Sequence, residues 1–420
     1  MKKTVIRGLF FLVLLVVSLS SFGIQRFPKP EFESGYVQPG TVIPAARTTI
    51  LSILDVVVLL TACAVISWLI IRKRSRNWVF LISLCSLVYF GFYREGCVCS
   101  IGSVQNVALA LFDGLYILPW TILAFFLIPL LFTLLFGRIF CAGVCPFGAL
   151  QDLVAFYPQK LGSRWNAVLG LIPYFYLGLT ILYAATGSDF IICRYDPFVG
   201  IFRFNASFGM FLFAGILLIS GMFIARPYCR FLCPYGVLLN WISRFSWRHM
   251  TITPANCIQC RLCEDSCPYE AIDKPVIRKD PVPVRIRIRK LLLSGLLIPL
   301  FVLAGGWIGS QLYQGLADVN PTVKLVRLLN DPSASQQQPE PFEITAFRSS
   351  GKPVSQLCSE ASVILKKFYT GGWILGGFIG LVFGFAVAGR MITRYHPDYI
   401  PHKSTCFSCA RCIDYCPVKS

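Results

Sequence analysis

Two runs of cysteine carry the most specific chemistry in this chain. The first is Cys257-Ile-Gln-Cys260-Arg-Leu-Cys263-Glu-Asp-Ser-Cys267-Pro268, with the spacing C-x2-C-x2-C-x3-C-P. The second, Cys406-Phe-Ser-Cys409-Ala-Arg-Cys412-Ile-Asp-Tyr-Cys416-Pro417, repeats that spacing. In such a run three thiolates wrap a loop around one [4Fe-4S] cubane, and the fourth, before proline, turns to a second cluster. Each copy supplies the ligand that the other lacks. The spacing therefore predicts one cluster on Cys257, Cys260, Cys263 and Cys416, and another on Cys406, Cys409, Cys412 and Cys267. Zinc knuckles or free thiols are the competing assignments, and two complete copies closing on Cys-Pro weigh against them.

Four more cysteines sit in paired motifs, Cys141-Ala-Gly-Val-Cys145-Pro146-Phe147-Gly148 and Cys229-Arg-Phe-Leu-Cys233-Pro234-Tyr235-Gly236. Each follows an apolar stretch and an arginine, Arg138 or Arg226, and each is preceded by an earlier cysteine motif. Cys99 precedes Cys141 by 42 positions and Cys193 precedes Cys229 by 36, so two parallel copies of one unit are expected. A pseudo-two-fold along the membrane normal would collect Cys141, Cys145, Cys229 and Cys233 at the cytoplasmic surface. The proline after each second cysteine suits the first position of a helix. Thiolates at a helix start gain from the positive end of the dipole, and Arg138, Arg226 and Arg230 add charge nearby. These four can hold a third cluster, act as redox thiols, or pack a tight turn at the membrane surface.

Of eighteen cysteines, the remaining six divide by position. Cys63 and Cys85 fall within apolar spans and read as small buried residues. Cys97, Cys99, Cys193 and Cys358 fall outside, where either disulfides or a redox site built from Cys97, Cys99 and Cys193 would suit. The ferredoxin-type runs imply a reducing, cytoplasm-facing compartment for their part of the chain. His249, His396 and His402 are the only histidines, and there is no C-x-x-C-H, so no haem is expected. Asp55, Asp113, Asp189 and Asp196 could accept protons if a quinol were oxidised, although an interface or loop role suits each better.

The elements that must position these residues are mostly membrane helices. The 420 residues are 55% hydrophobic and 14% charged, with a mean hydropathy of +0.65, which excludes an ordinary soluble domain. The net charge of +19 reads as lysine and arginine held in cytoplasmic loops rather than as nucleic-acid binding. Apolar stretches predict spans over Gly8–Ser21, Ile50–Ile71, Trp78–Phe92, Ile117–Phe136, Val168–Ala185, Phe208–Ile224, Leu291–Gly309 and Gly371–Val387, with an amphipathic or re-entrant piece at Val104–Tyr116. The first of these is a retained anchor or a signal peptide. Arg72-Lys73-Arg74-Ser75-Arg76 marks an inside end. With eight spans, both cysteine runs and both Cys-x3-Cys-Pro pairs fall on one side.

The expected fold is mainly α: a polytopic helical bundle of about eight spans with two parallel repeats, and a small α+β two-cluster ferredoxin-like module split across the chain. Residues 1–49 form an N-terminal anchor or signal with an outside segment, and 50–248 the membrane domain with the repeated motifs. Residues 249–277 form the first ferredoxin half and 396–420 the second. Between them, 278–395 form a membrane hairpin with an outside loop or small domain at 311–367, preceded by a basic membrane-surface segment at Arg278–Lys290.

The two Cys-x3-Cys-Pro repeats, Cys193-Arg-Tyr-Asp-Pro-Phe198, the two ferredoxin-type runs and Arg26-Phe-Pro-Lys-Pro-Glu-Phe-Glu-Ser-Gly35 together resemble the NapH/NosR-type membrane-bound polyferredoxins. The resemblance covers roughly residues 25–270 plus the last fifteen. It implies a component of the bacterial cytoplasmic membrane that passes electrons between a quinol pool or cytoplasmic donor and other subunits of a redox complex. A quinol dehydrogenase subunit is one form of this, and a redox-sensing regulator or maturation factor for a partner metalloenzyme is the alternative. Two features depart from the family. No large flavin-binding domain precedes the membrane part, and 138 residues separate Cys267 from Cys406. The halves are expected to reunite across that insertion, because three near ligands leave a cubane one short. A transporter is disfavoured, since no span carries paired buried charges or Gly/Pro breaks.

Overall fold

The computed structural model describes residues 48–96, 99–252, 257–276, 284–331, 342–349, 351–391 and 395–418. The expected span Gly8–Ser21, the motif Arg26–Gly35, Cys97 and the glutamine run at 336–338 lie outside the described residues.

Among the described residues, five helices are long and apolar enough to cross a membrane, or six if one bent pair counts as a single span. The chain is a membrane protein. Helix α1 (Thr49–Lys73) and helix α2 (Arg76–Tyr93) form the first pair. Helix α3 (Ser100–Phe112) and helix α4 (Trp120–Phe136) are shorter apolar helices, so the fourth expected span is an element of 17 residues. Two short helices, α5 (Ile139–Gly143) and α6 (Pro146–Val154), follow. Helix α7 (Arg164–Ala185) begins the second unit. The short α8 (Ile191–Tyr195) comes next, and then α9 (Pro197–Arg203) and α10 (Phe208–Phe223), which meet at 109°. Helices α11 (Pro227–Phe231) and α12 (Pro234–Ser243) repeat α5 and α6. As expected of a proline-led helix, α6 and α12 each start on the proline after the cysteine, with Cys145 and Cys233 as N-caps.

The two units share backbone detail. Cys145 N donates to Phe140 O at 2.9 Å, and Cys233 N donates to Tyr228 O at 2.9 Å. The glycine of each motif is needed for a close approach, because a Cβ on Gly148 would stand 3.2 Å from Cys141 O and one on Gly236 would stand 3.4 Å from Cys229 O. The arginines cross over: Arg226 lies against Gly148 of the other unit, and Arg138 lies against Gly236. That exchange is what a two-fold relation between the units produces.

Helix α13 (Leu262–Ser266) and strand β1 (Ile272–Asp273) follow the first cysteine run. Two long helices then form a hairpin, α14 (Val284–Gln311) and α15 (Val354–Met391). They meet on glycine: a Cβ on Gly305, Gly309, Gly372, Gly376 or Gly380 would collide with the facing backbone, the small-residue packing that lets membrane helices approach closely. The expected loop at 311–367 is largely helical, with Tyr313–Ala317, Pro321–Asn330 and Phe342–Ser349, and α15 starts at Val354, well before Gly371. Of the expected surface segment Arg278–Lys290, residues 278–283 lie outside the described residues, and the rest is the first turns of α14. Strand β2 (Ile400–Pro401) and helix α16 (Arg411–Asp414) close the chain.

Strand β2 pairs antiparallel with β1, Ile272 opposite Pro401 and Asp273 opposite Ile400, and Val276 bridges His396. This ladder ties the segment after Cys267 to the segment before Cys406. The distant cysteine runs therefore meet, despite the intervening hairpin.

Candidate metal centre

The two cysteine runs adopt one backbone. Gln259 and Arg261 have φ of 52° and 64°, and Ser408 and Ala410, at the same positions of the second run, have φ of 52° and 60°. None is glycine, and four such left-handed residues cost free energy that the fold must offset elsewhere. Alternating left-handed residues turn successive backbone N–H groups toward one point, a concavity suited to an anionic group. One of them, Ser408 N, donates to Cys406 Sγ at 3.4 Å. Among the described residues no three His, Cys, Asp or Glu side chains converge as they would on a single ion. A cubane differs in that each cysteine takes its own iron, so its sulfurs need to surround a volume instead of a point.

Cys257, Cys260, Cys263 and Cys416 line one small cavity, closed by Ile252, Ile258 and Tyr399. Cys412 stands within electrostatic reach of Cys409, Cys406, Cys267 and Cys263, and Cys267 within reach of Cys409. The structure thus brings Cys416 to the first run and Cys267 to the second. Burial pushes the Cys406 thiol up to about 12 and the Cys263 thiol up to about 11. Such thiols keep their protons at neutral pH, so metal binding must expel them.

The four cysteines of the paired motifs also come together. Cys141, Cys145, Cys229 and Cys233 are 6–7% exposed, so their side chains are buried among the short helices that carry them. Cys145 donates a hydrogen bond to Cys229, which raises the first thiol and lowers the second, and Arg226 and Arg138 beside Cys229 add to the lowering. Burial pushes Cys141 and Cys233 up. Gln151 Nε2 reaches Cys229 Sγ at 3.2 Å, and Gly236 N reaches Cys233 Sγ at 3.4 Å.

Between this group and the second run lies a buried polar layer. Arg226 is fully buried, with Nε and Nη2 each 2.8 Å from the Asp152 carboxylate and further contacts to Cys141 O and Ala142 O. Asp152 also takes Arg76 Nη2 at 2.7 Å, and Arg76 Nη1 donates to Cys409 O at 3.4 Å. Burial alone would raise the Asp152 carboxyl, but Arg226 and Arg76 hold it well below the usual carboxylate range. The related position in the second unit is Asn240, so Arg138 has no carboxylate partner among the described residues and instead lies 4.3 Å over the Phe407 ring and donates to Ser404 O. Tyr269 and Phe407, one from each cysteine run, pack at 4.7 Å above these arginines. Sequence reasoning missed Asp152, Tyr269 and Phe407. A lone aspartate and two aromatics carry no spacing signal.

The other expected residues are placed as follows. Cys99 caps α3, with Ile101 N donating to its Sγ at 3.3 Å, and it lines one small pocket with Cys145, Pro146 and Phe147. The outer motif therefore adjoins the inner one instead of standing a membrane's width away. Gln105 Nε2 donates to Cys193 Sγ at 3.4 Å, and Cys193 and Cys99 are within electrostatic reach of each other. Cys358 is exposed on α15, and Cys63 is fully buried as expected. Cys85 is exposed, on the outward face of α2, against the expectation of burial. Asp55 pairs with Arg94 at 3.0 Å, Asp189 pairs with Arg194 at 3.2 Å, Asp113 caps Leu115 N, and Asp196 caps α9 through Phe198 N. All four have structural partners.

Comparison with known proteins agrees with this geometry. A 4Fe-4S binding domain model matches twice, at residues 118–164 and 206–252, an offset of 88 that equals the spacing of Cys141 from Cys229. A second 4Fe-4S binding domain model matches residues 250–273. The chain is 36% identical over 35% of its length to protein NirI of Paracoccus denitrificans, and 30% identical over 44% to the regulatory protein NosR of Pseudomonas aeruginosa. It is 26% identical over 38% of its length to the methylamine utilization ferredoxin-type protein MauN of Paracoccus denitrificans. The chain is thus similar to membrane-associated ferredoxin-type proteins and carries 4Fe-4S binding domains, in agreement with the resemblance to the NapH/NosR-type family. It spans 24% of NirI, 28% of NosR and 58% of MauN, so those proteins contain further segments of their own. No solved structure matches.

Proposed function

We propose that this chain relays electrons in a bacterial cytoplasmic membrane between a quinol pool or cytoplasmic donor and a partner redox enzyme, with its cysteine runs facing the cytoplasm. The supporting observation is the stacking of three cysteine groups: Cys257, Cys260, Cys263 and Cys416; then Cys406, Cys409, Cys412 and Cys267; then Cys141, Cys145, Cys229 and Cys233. In this reading the first two groups form a ferredoxin-like module whose halves are joined by β1 and β2. A [4Fe-4S] cluster supplies reversible one-electron transfer.

The chain does the rest. The cysteines orient, the left-handed turns aim backbone N–H groups inward, and Arg138, Arg226 and Arg76 offset negative charge in a site from which water is excluded. Cys99 and Cys193, with Cys97, are in this reading the exit side of the relay, because Cys99 shares a pocket with Cys145. Anaerobic mixing with a quinol analogue, and separately with a reduced soluble ferredoxin, should change the visible absorbance of the purified chain. Indifference to both donors would remove the relay.

The name regulatory protein carried by NosR favours a second reading, in which the chain controls or matures a partner metalloenzyme. A deletion strain separates the two: lost electron flux through a partner supplied fully mature supports the relay, and unchanged flux supports the regulator.

A further inference from the structure

A cleft of about 2240 Å³ separates the α14–α15 hairpin from the repeated units and the second cysteine run. The hairpin touches the bundle at one end, where Leu375 meets Gly178 and Phe378 packs on Trp241 at 6.2 Å. Past that contact Leu381 and Phe385 of α15 line the cleft. Phe385 is 59% exposed in the isolated chain. Among the described residues nothing fills the gap between these apolar walls, and an empty void in a bilayer would forfeit dispersion contacts on both sides.

The end of the cleft nearest the cysteine runs holds more cations than carboxylates: Glu264, Glu270 and Asp273 line the cleft, but Glu264 pairs with Lys274 and Glu270 lies 3.9 Å from Arg230. Arg244, Arg390 and Lys403 line that end, and none of the three has a carboxylate partner among the described residues. Deeper in, Arg230 has only 8% of its side chain exposed, and its Nη1 donor has no partner. Asn240 Oδ1, an acceptor on the same wall, is also unpartnered. Apolar walls that end in unpaired cations plus a lone acceptor are the complement of a molecule with acyl chains, a phosphate and hydroxyl groups.

We propose that this cleft is a structural binding site for an anionic phospholipid, whose chains fill the space between Trp241, Leu381 and Phe385 and whose phosphate rests on Arg244, Arg390 and Lys403. The lipid joins the hairpin to the bundle and so fixes β2 and the second cysteine run. This inference is independent of the iron–sulfur reading. Basic pockets between membrane helices bind anionic headgroups, each cation contributing about fivefold in affinity.

The test uses the full chain in nanodiscs of phosphatidylcholine with or without phosphatidylglycerol, with retained lipid counted by native mass spectrometry. The wild-type chain should retain phosphatidylglycerol selectively and melt at higher temperature when it is present. Replacing Arg244→Gln, Arg390→Gln and Lys403→Gln together should weaken that retention by about a hundredfold and abolish the thermal shift. Lys366→Gln with Lys367→Gln, which removes charge from the other end of α15, should do neither. Headgroup-indifferent retention by the wild type, undiminished retention by the triple variant, or a retained quinone in place of phospholipid would overturn the proposal. Should the triple variant not fold, the wild-type comparison alone decides.

Discussion

Asp152→Asn is the sharpest perturbation of the polar layer. The carboxylate accepts three short charge-assisted bonds, two from Arg226 at 2.8 Å and one from Arg76 at 2.7 Å. The amide keeps the shape and removes the charge, leaving the fully buried Arg226 guanidinium without an anion. Removing one partner of a buried pair costs about 3–5 kcal/mol, because the remaining charge stays desolvated. Arg76 is 16% exposed and can recover some hydration, which places the expected loss near the middle of that range. Converting Arg226→Gln as well removes the stranded charge, so the double variant should recover about 2 kcal/mol relative to Asp152→Asn alone. Unfolding in mixed micelles across this double-mutant cycle gives the coupling directly. The iron-to-protein ratio of each variant shows whether the second cysteine run loosens, since Arg76 also holds Cys409 O. A loss under 1 kcal/mol for the single variant, or a double variant less stable than the single, would refute the reasoning.

Cys416→Ser should remove about four irons per chain, the content of one cubane, and spare the other clusters, as read by iron assay and EPR. Cys358→Ser, exposed on α15, should leave iron content unchanged. His249 is pushed down to about 4 by burial, with Lys403 and His402 adding to it, so it stays neutral in the folded chain while the unfolded chain takes up a proton near 6.5. Stability should therefore fall as pH drops from about 6.5 toward 4, by up to about 3 kcal/mol, and His249→Gln should flatten that part of the thermal-midpoint profile. Gly376→Leu would drive a side chain into the Gly305 backbone of α14 and should weaken the hairpin by roughly 1–3 kcal/mol or more, measured as the loss of cross-linking between engineered pairs on the two helices.

The cysteine spacings made much of this architecture legible, because a ligand set fixes which residues must meet regardless of the chain between them. The same logic anticipated the joining of the two runs but not its means, since two-residue strands such as Ile272–Asp273 carry no periodicity. Hydropathy located the five or six long apolar helices of the described residues, but it read 311–367 as a loop or small domain without its helices, because polar residues on an amphipathic helix such as Pro321–Asn330 lower the average without breaking the helix. Nor can a linear reading of apolar lengths register that Cys99, at the start of α3, shares a pocket with Cys145 and Pro146. The Asp152 layer was invisible for a related reason. Its members lie 74 and 76 positions apart and gain meaning only when buried together.

The most direct measurement is a count of iron and acid-labile sulfide on the full chain purified under strict anaerobiosis. Three stacked cysteine groups predict about twelve of each per chain. About eight would remove the group at Cys141, Cys145, Cys229 and Cys233, and a colourless, iron-free protein would contradict the iron–sulfur relay altogether.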